Sequence, residues 1–163
     1  MGYVKNSHCS YCGHTFQPDQ PWPRTCTQCG NTRFLNPLPV SVVLVPVDGG
    51  LLTVRRSIEP RKGELALPGG YINAGETWQA AGAREVWEET GLRIAPDEIR
   101  EFRVRSAPDG TVLIFGVAPP RAAADLPAFA PNEEVSELVI LKAPQTLAFP
   151  LHTQVVEEFF HTK

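Results

Sequence analysis

Residues 70–92 read GYINAGETWQAAGAREVWEETGL, and the acidic part of this segment carries the clearest chemical signal in the chain. It places Glu85, Glu88 and Glu89 at positions i, i+3 and i+4, which are neighbours on one face of an α-helix. Like charges at this spacing destabilise an isolated helix by about 0.2–0.5 kcal/mol per pair. The cluster therefore predicts a bound cation, and ligands that are all oxygen suit a hard divalent ion such as Mg²⁺ or Mn²⁺.

The pattern around these glutamates predicts a helix with its own start and end signals. An inner stripe of apolar or neutral residues at helical spacing is formed by Ala83, Val86, Trp87 and Thr90. Glu76 and Thr77 stand at the expected start, and Gly91 stands where a left-handed residue ends a helix. Upstream, Leu-Pro-Gly-Gly at residues 67–70 predicts the end of an extended segment and a tight turn, in which glycine lets the backbone approach an ion or phosphate.

The segment resembles the Nudix signature at every defining position. The matching residues are Gly70, Glu76, Arg84, Glu85, Val86, Glu88, Glu89, Gly91 and Leu92. A solvated acidic helix face is the alternative, but it is typical of an isolated Glu-Glu pair and does not account for the whole pattern. The resemblance implies an α/β fold, the Nudix α/β/α sandwich with a mixed sheet.

The resemblance also implies an activity, the hydrolysis of a nucleoside diphosphate linked to another moiety. It implies that Mg²⁺ or Mn²⁺ is held by the carboxylates of Glu85, Glu88 and Glu89 together with a backbone carbonyl of Gly69 or Gly70. Arg84 is expected to orient a metal-binding carboxylate and to form a structural pair with Glu76. Either Glu88 or Glu89 could accept the proton of the attacking water, with an acidic residue outside the segment as the alternative.

Composition limits the chain to one sizeable core with a small appendage, since 42% of its 163 residues are hydrophobic. The 16 prolines indicate many loops. The net charge of −3 gives no general attraction to nucleic acid or acidic membranes. No apolar run is long enough to span a membrane and the start has no apolar signal region, so we expect a cytoplasmic protein.

All four cysteines lie near the N-terminus, in the pairs Cys9-x₂-Cys12 and Cys26-x₂-Cys29. Two such pairs separated by 13 residues are typical of a tetrahedral zinc site with four thiolate ligands. Two disulfides are the alternative, which no export signal supports. His8 adjoins the first pair, but the four thiolates already complete the zinc shell. We therefore predict a zinc ribbon at residues 1–36, in which zinc supplies folding energy that so short a segment lacks.

The ribbon is expected to serve a structural role or to pack at the edge of the substrate site. Its few charged residues are Lys5, Arg24, Arg33 and Asp19. Its aromatic residues, expected to form a small core or a contact with the main domain, are Tyr11, Phe16, Trp22 and Phe34. Since three cations against one acid make a weak electrostatic footprint, nucleic acid is not an expected partner.

The remaining chain, residues 37–163, is predicted to be one Nudix domain that follows a stiff, proline-rich connector. Apolar runs bounded by turn residues predict strands at residues 40–47, 51–55, 102–107, 111–118 and 135–141. An amphipathic pattern predicts a closing helix from residue 150, and residues 119–131 are expected to form a mobile loop near the site. Strands on both sides of one helix, with a second helix at the end, predict a mixed sheet between helices.

Residues outside the acidic helix supply candidates for substrate binding. Arg55 and Arg61, with Arg56 beside the first, are candidate phosphate ligands because a guanidinium matches phosphate geometry, although surface basic residues are more often only solvated. Tyr71 and Phe115 are candidates to stack on a substrate ring, with a position in the core as the alternative for each.

Other titratable residues follow the proline-rich loop. Glu133, Glu134 and Glu137 lie where some Nudix relatives place a catalytic base, with plain surface charge as the alternative. His152 and His161, on the closing helix, are expected to face solvent or the sheet edge.

The substrate class follows from a second resemblance. The joined ribbon and Nudix segment resemble NADH pyrophosphatases, yet the Ser-Gln-Pro-Trp-Pro-Phe-Pro stretch that those proteins carry downstream has no counterpart after Leu92. The FAD-pyrophosphatase-like branch is closer, through Asn-Pro at residues 36–37, Leu-Pro-x-Gly-Tyr at residues 67–71 and Leu-Ala-Phe at residues 147–149. We expect a dinucleotide or ADP-sugar substrate, with FAD, NADH and ADP-ribose all open. A non-catalytic nucleotide sensor whose ribbon contacts a partner or nucleic acid is the alternative, and the closing helix could support a homodimer.

Overall fold

The computed structural model describes residues 4–162, which form two compact units divided between Pro37 and Leu38. Neither α-helix in this part of the chain is long and apolar enough to cross a membrane. The longer of the two has 13 residues, whereas a crossing needs about 20.

The smaller unit is built on two cysteine-containing turns and two short antiparallel strands, β1 (Arg24–Thr25) and β2 (Thr32–Arg33). Each cysteine turn ends on a glycine in the left-handed region, with φ of 76° at Gly13 and 72° at Gly30. The N–H of each glycine donates over 2.9 Å to the carbonyl of the cysteine four residues earlier. The two cysteine-containing turns therefore share the same glycine conformation and the same backbone hydrogen bond.

The interior of this unit is small. Phe16 is buried beside two of the cysteines, and Trp22 packs edge-on against it with ring centroids 6.3 Å apart. Tyr11 and Phe34 are 65% and 63% exposed, so of the two positions expected for the aromatic residues these two do not take the one in the ribbon core. Sulfur atoms and one phenyl ring already fill the centre of so short a segment.

The larger unit contains eight strands and two helices. In chain order they are β3 (Leu38–Leu44), β4 (Pro46–Val47), β5 (Gly50–Arg56), β6 (Leu65–Ala66), β7 (Gly69–Tyr71), α1 (Trp78–Thr90), β8 (Arg100–Ser106), β9 (Thr111–Val117), β10 (Val135–Leu141) and α2 (Pro150–His161). One sheet has the order β7-β3-β9-β8 and is mixed, because β3 and β9 are parallel. The other has the order β10-β5-β4, with β6 also paired to β5, and is antiparallel. The predicted mixed sheet is confirmed.

Strand β3 lies at the centre of the fold because both of its faces are buried. Val42 and Leu44 belong to a cluster that includes residues of α2, whereas Val43 and Val45 belong to a cluster that includes residues of α1. Successive side chains of a strand point to opposite faces, so a strand covered on both sides needs a continuous apolar run. Helices therefore pack on both sides of the strands, which confirms the predicted α/β/α sandwich.

Helix α1 begins and ends as predicted. The Thr77 hydroxyl accepts the N–H of Ala80 over 3.1 Å, and Gly91, with φ of 75°, donates its N–H to the Trp87 carbonyl over 2.8 Å. Trp87 is nevertheless 45% exposed, so its predicted place on the inner stripe is wrong. The physical reason is Glu89, which is buried and shifts the inner face so that Trp87 falls at its edge.

Strand β7 replaces the tight turn predicted at residues 67–70. It pairs antiparallel with β3, with Gly69 opposite Val42 and Gly70 opposite Ser41. A Cβ added at Gly69 would meet the Ser41 carbonyl oxygen and lie 2.7 Å from the Val42 Cα. Glycine is therefore required at this position by strand pairing, in addition to any role in binding an ion.

Helix α1 contacts β3 through a glycine as well. A methyl group at Gly82 would lie 2.7 Å from Val43 Cγ2 and 2.8 Å from the Ser41 hydroxyl oxygen. That oxygen is buried and has no hydrogen-bond partner among the described residues. The absence of a side chain at Gly82 thus sets how closely the acidic helix approaches the sheet.

We expect Gly82→Ala to destabilise the protein. The added methyl group overpacks the helix–sheet contact at a cost of about 1–3 kcal/mol, and the higher helix propensity of alanine offsets at most about 1 kcal/mol of this. Urea unfolding measures the change in the free energy of unfolding. The Ser41→Ala change removes one of the two contacted atoms, so the double variant should lose less stability than the sum of the two single variants. Additive free energies would contradict the contact.

Candidate active site

One arginine organises the acidic face of α1. Arg84 donates through Nε and one terminal nitrogen to both carboxylate oxygens of Glu76, over 2.9 and 3.0 Å. Its other terminal nitrogen donates to Glu85 over 2.6 Å and to Glu88 over 3.0 Å. These bonds from Arg84, followed by the N–H of Asn73, lower the pKa of Glu76 to about 2. Glu76 therefore stays ionised and holds Arg84 beside the other carboxylates.

Glu89 is the buried member of the acidic set. Its side chain accepts the Gly69 N–H over 3.0 Å and has no arginine partner among the described residues. Burial raises the pKa of Glu89 to about 8, and the charges of Glu85 and Glu134 add to that rise while the Gly69 bond opposes it. Burial likewise raises the pKa of Glu85, against the effect of Arg84. A nearby positive charge would favour the ionised form of these buried carboxyl groups.

Gly70 of β7 makes room for these carboxylates. A Cβ added at Gly70 would lie 2.5 Å from both Cδ and one oxygen of Glu85, so any larger residue would displace that carboxylate. Oxygen ligands next to a bare backbone suit a hard divalent cation, and the residues present therefore fit Mg²⁺ or Mn²⁺. Arg84 bonds the carboxylates of Glu85 and Glu88, whereas that of Glu89 bonds the Gly69 N–H, so among the described residues the three carboxylates are not gathered around one point.

A residue that the sequence pattern did not single out ties a distant segment to α1. The Asn132 side chain donates to the Glu88 carbonyl over 3.2 Å. Its oxygen accepts the N–H groups of Glu134 and Val135 over 2.9 and 2.8 Å. This brings Glu134 near enough to raise the pKa of Glu85 and Glu89. An Asn two residues before an acid in a loop is the only local signal for such a contact.

Glu133 and Glu137, the other two acidic residues predicted in this region, have different surroundings. Glu133 lines an open recess together with Glu88, Asn132 and Glu134. Glu137 instead pairs with Arg55 over 2.7 Å.

The three candidate arginines have different surroundings. Arg55 pairs with Glu137, and Arg61 forms a 3.4 Å contact with Glu64 on the surface. Arg56 donates Nε to the Pro60 carbonyl over 2.9 Å, and its guanidinium lies 5.2 Å from the ring centre of Phe149. After the larger effect of burial, the Arg56 charge acts on the pKa of both Glu89 and His152. Arg56 is therefore the arginine between the acidic helix face and α2.

A cavity of about 280 Å³ opens beside the two glycines of β7, and we call it the β7 pocket. Its walls come from β3, β7, β9, α2 and the end of β5, and its lining residues include Val42, Gly69, Gly70, Arg56, Asp109, Thr111, Leu113, Phe149 and His152. Tyr71 also lines it and is 58% exposed, which excludes the core position weighed for this residue. Phe115 is fully buried and belongs to the core.

In the smaller unit the four cysteines form one cluster. The sulfur atoms of Cys9, Cys12, Cys26 and Cys29 all lie within 4.8 Å of one another. The nearest pairs, Cys9 with Cys29 and Cys12 with Cys26, are 3.7 Å apart, which is too long for a disulfide bond. His8 bonds the Ser7 hydroxyl and stays outside the cluster, in agreement with its predicted role as a bystander. Four sulfur atoms around one point fit a tetrahedral Zn²⁺ ion.

Comparison with known proteins agrees with the predicted family and fold. The model of the NUDIX domain matches residues 35–159. This chain belongs to the NUDIX family. The NAD-capped RNA hydrolase NudC of Shigella flexneri is 31% identical over 93 residues, which are 56% of this chain and 36% of that protein. The match thus spans little more than a third of that curated relative.

Two solved structures are similar in fold. A NUDIX hydrolase from Nitrosomonas europaea superposes with a TM-score of 0.77 at 24% identity, covering 96% of this chain and 92% of that one. A bifunctional NMN adenylyltransferase/ADP ribose pyrophosphatase from Francisella tularensis gives a TM-score of 0.56 at 26% identity, covering 66% of this chain and 34% of that one.

The histidines of α2 in this Nudix domain have different surroundings. Both were expected to face solvent or the sheet edge, but His152 is only 5% exposed and does not face solvent, whereas His161 is exposed. The rings of Phe115 and Phe149 lie 5.6 and 5.1 Å from the His152 ring, and its Nδ1 accepts the Leu67 N–H over 3.2 Å. Position 152 lies three and four residues before the buried valines of α2, so helical spacing contained this signal.

Burial, followed by the charge of Arg56, lowers the pKa of His152 to about 3. The unfolded chain takes up a proton on this imidazole below about pH 6.5, whereas the folded protein does so only near pH 3, so acid favours unfolding within this window. We expect the wild type to lose about 2 kcal/mol of unfolding free energy between pH 7 and pH 5 that the His152→Gln variant does not lose. Urea unfolding at both pH values measures the difference.

The matched control is His161→Gln, which changes an exposed histidine of the same helix and retains the wild-type loss. The His152→Gln variant has lower stability at pH 7 as well, but the test is the slope with pH and not the starting value. Equal slopes in wild type and His152→Gln would contradict a neutral buried imidazole.

Proposed function

We propose that this protein hydrolyses a nucleoside diphosphate linked to another moiety, with α1 and β7 forming its active site. The observation that carries this proposal is the carboxylate set, in which Glu85 and Glu89 lie against the backbone of Gly70 and Gly69. Burial raises the pKa of Glu89, which has no arginine partner among the described residues, so its ionised form is costly unless a cation joins it. A surface acidic face would have no reason to bury its third carboxylate.

The proposed ligands of Mg²⁺ or Mn²⁺ are Glu85, Glu88 and Glu89, with a backbone carbonyl of Gly69 or Gly70. When bound, such ions neutralise the diphosphate and lower the pKa of a water molecule so that it attacks phosphorus near neutral pH. Arg84 orients the carboxylates, and Glu76 holds Arg84 in place.

The proton of the attacking water goes to a carboxylate of this chain. Glu88 and Glu89 are the candidates within α1, and Glu134 joins them because Asn132 holds its segment beside the helix. Arg56 supplies positive charge between this site and the β7 pocket, where it can bind the diphosphate.

The substrate class is proposed from the relatives and the site together. Proteins similar to this chain are named an NAD-capped RNA hydrolase and an ADP ribose pyrophosphatase, and both act on an adenosine diphosphate unit joined to another group. We therefore propose a dinucleotide or ADP-sugar substrate, with FAD, NADH, ADP-ribose and NAD-capped RNA as the compounds to compare. The assay uses Mg²⁺ or Mn²⁺ and identifies both products by mass.

We expect Glu88→Gln and Glu89→Gln each to lower kcat by about 100-fold or more, because each removes a charged ligand while keeping the side chain's shape. Their circular dichroism should match the wild type. The matched control is Glu157→Gln, at an exposed position of α2, which should leave kcat unchanged. Wild-type kcat in both ligand variants would overturn the proposed site.

The sensor alternative has a different outcome in the same assay. A nucleotide-sensing protein would bind ADP-ribose or FAD tightly in the presence of Mg²⁺ and release no product from any compound of the panel.

We also propose that the cysteine cluster of the smaller unit holds one structural Zn²⁺ ion. We expect about one zinc per chain by elemental analysis, and loss of that zinc in the Cys26→Ser variant, because one of four thiolates is removed. His8→Gln is the matched control and should retain the metal. Wild-type protein purified without zinc and with four titratable, fully reactive thiols would contradict the proposal.

A further inference from the structure

The β7 pocket is a separate feature of the site, and its size limits what it can hold. At about 280 Å³ it lies just below the range of roughly 300–1,000 Å³ that is usual for small-molecule sites. A single ring system fits such a volume, whereas a whole dinucleotide does not. Because Gly69 and Gly70 form one edge of the pocket, a ring held here would be joined to a diphosphate lying at the carboxylates.

The walls of the β7 pocket suit an aromatic ring. Val42 and Leu113 supply an apolar surface from the sheet, and Phe149 supplies an aromatic surface from the start of α2. Phe149 is fixed in turn, because His152 packs against its ring at 5.1 Å and the Arg56 guanidinium lies 5.2 Å from its centre. A flat group between these surfaces would bury both of its faces.

The buried polar group of the β7 pocket is a hydrogen-bond donor. His152 accepts the Leu67 N–H at Nδ1, and in a neutral imidazole the proton then lies on Nε2. Nε2 has no hydrogen-bond partner among the described residues, although the side chain is only 5% exposed and lines the pocket. Nε2 is accessible from the pocket, since the buried side-chain atoms without a partner among the described residues are Ser41 Oγ and Arg121 Nε. A ligand that offers an acceptor can therefore pair with it.

The second polar group is Asp109, an exposed acceptor in the turn before β9 whose orientation is fixed. Oδ1 of Asp109 accepts both the N–H and the hydroxyl of Thr111, over 2.9 and 2.8 Å. These bonds lower the pKa of Asp109, which therefore stays ionised. Oδ2 has no hydrogen-bond partner among the described residues, and Asp109 lines the same pocket as His152. The pocket thus presents one N–H donor and one carboxylate acceptor to its occupant.

We infer that the β7 pocket selects an amino-bearing purine, with the adenine ring as its proposed occupant, and that Asp109 and His152 determine this specificity. Adenine offers ring nitrogens as acceptors for His152 and an exocyclic amino group as a donor for Asp109. Hypoxanthine carries an oxygen in place of that amino group, and its lone pairs would face the Asp109 carboxylate. The inference rests on the proposed function, since it assigns the base of that substrate.

The test compares AMP with IMP, in which an oxygen replaces the amino group and the adjacent ring nitrogen carries a proton, by calorimetric titration of the full chain without added divalent metal. We expect wild type to bind AMP about tenfold or more tightly than IMP, because a site built around a hydrogen bond rejects the analogue that lacks it. In Asp109→Asn, the Thr111 bonds keep the amide oxygen in place and turn the NH₂ group towards the ligand. The ratio of the two Kd values should then fall to one or reverse.

The matched control is Asp125→Asn, the same chemical change at an exposed position outside the pocket, which should keep the wild-type ratio. The part played by His152 is tested separately by the ¹⁵N resonance of Nε2 in labelled protein, which should shift on addition of AMP. Equal affinity for AMP and IMP in wild type, or an unchanged ratio in Asp109→Asn, would overturn the inference.

Failure of the inference is separable from failure of the proposed function. If ADP-ribose and its inosine counterpart are hydrolysed with equal kcat/KM, the function stands and the base assignment is wrong. If AMP is preferred in binding but no compound of the panel is hydrolysed, the base assignment stands and the hydrolase proposal is wrong.

Discussion

The guanidinium of Arg84 is the group on which the geometry of the candidate site depends. It donates five hydrogen bonds, to Glu76, Glu85, Glu88 and the carbonyl of Tyr71. One side chain therefore joins the loop before α1, strand β7 and the acidic face of the helix. Without this positive charge, carboxylates at helical spacing would repel one another, and a metal ion would have to organise as well as neutralise them.

Close backbone approach is the constraint that makes this arrangement possible. Gly69 lets β7 pair with β3, Gly70 leaves room for the Glu85 carboxylate, and Gly82 lets α1 settle on the sheet. Each position excludes a side chain for a different steric reason, although all three bring the helix carboxylates towards β7. The glycines around the acidic helix are therefore required for close packing, and their role here is steric and not one of flexibility.

The features that the sequence predicted correctly depend on local contacts. The capping of α1 by Thr77 and Gly91, and the paired cysteine turns, depend on residues at most four positions apart. Sequence reasoning misjudged Trp87 and His152 because each was assigned from the polarity of its residue type. A buried position that usually holds an apolar residue is occupied in α1 by Glu89 and in α2 by His152. Each side chain accepts one backbone N–H from the β6–β7 segment.

Residues close along the chain were therefore enough to establish the family, the fold class, the cysteine cluster and the acidic helix, since spacing on a helix or turn is set by backbone geometry. The pairing of distant segments determined the rest. Successive residues of a strand point to opposite faces of the sheet, so Arg56 lines the pocket while Arg55 pairs with Glu137. Only the pairing with neighbouring strands determines which of these two faces meets the pocket. The pairing of distant segments likewise brought Glu134 to α1 and Asp109 to the β7 pocket, contacts that span more than 30 residues and leave no periodicity to read in the chain.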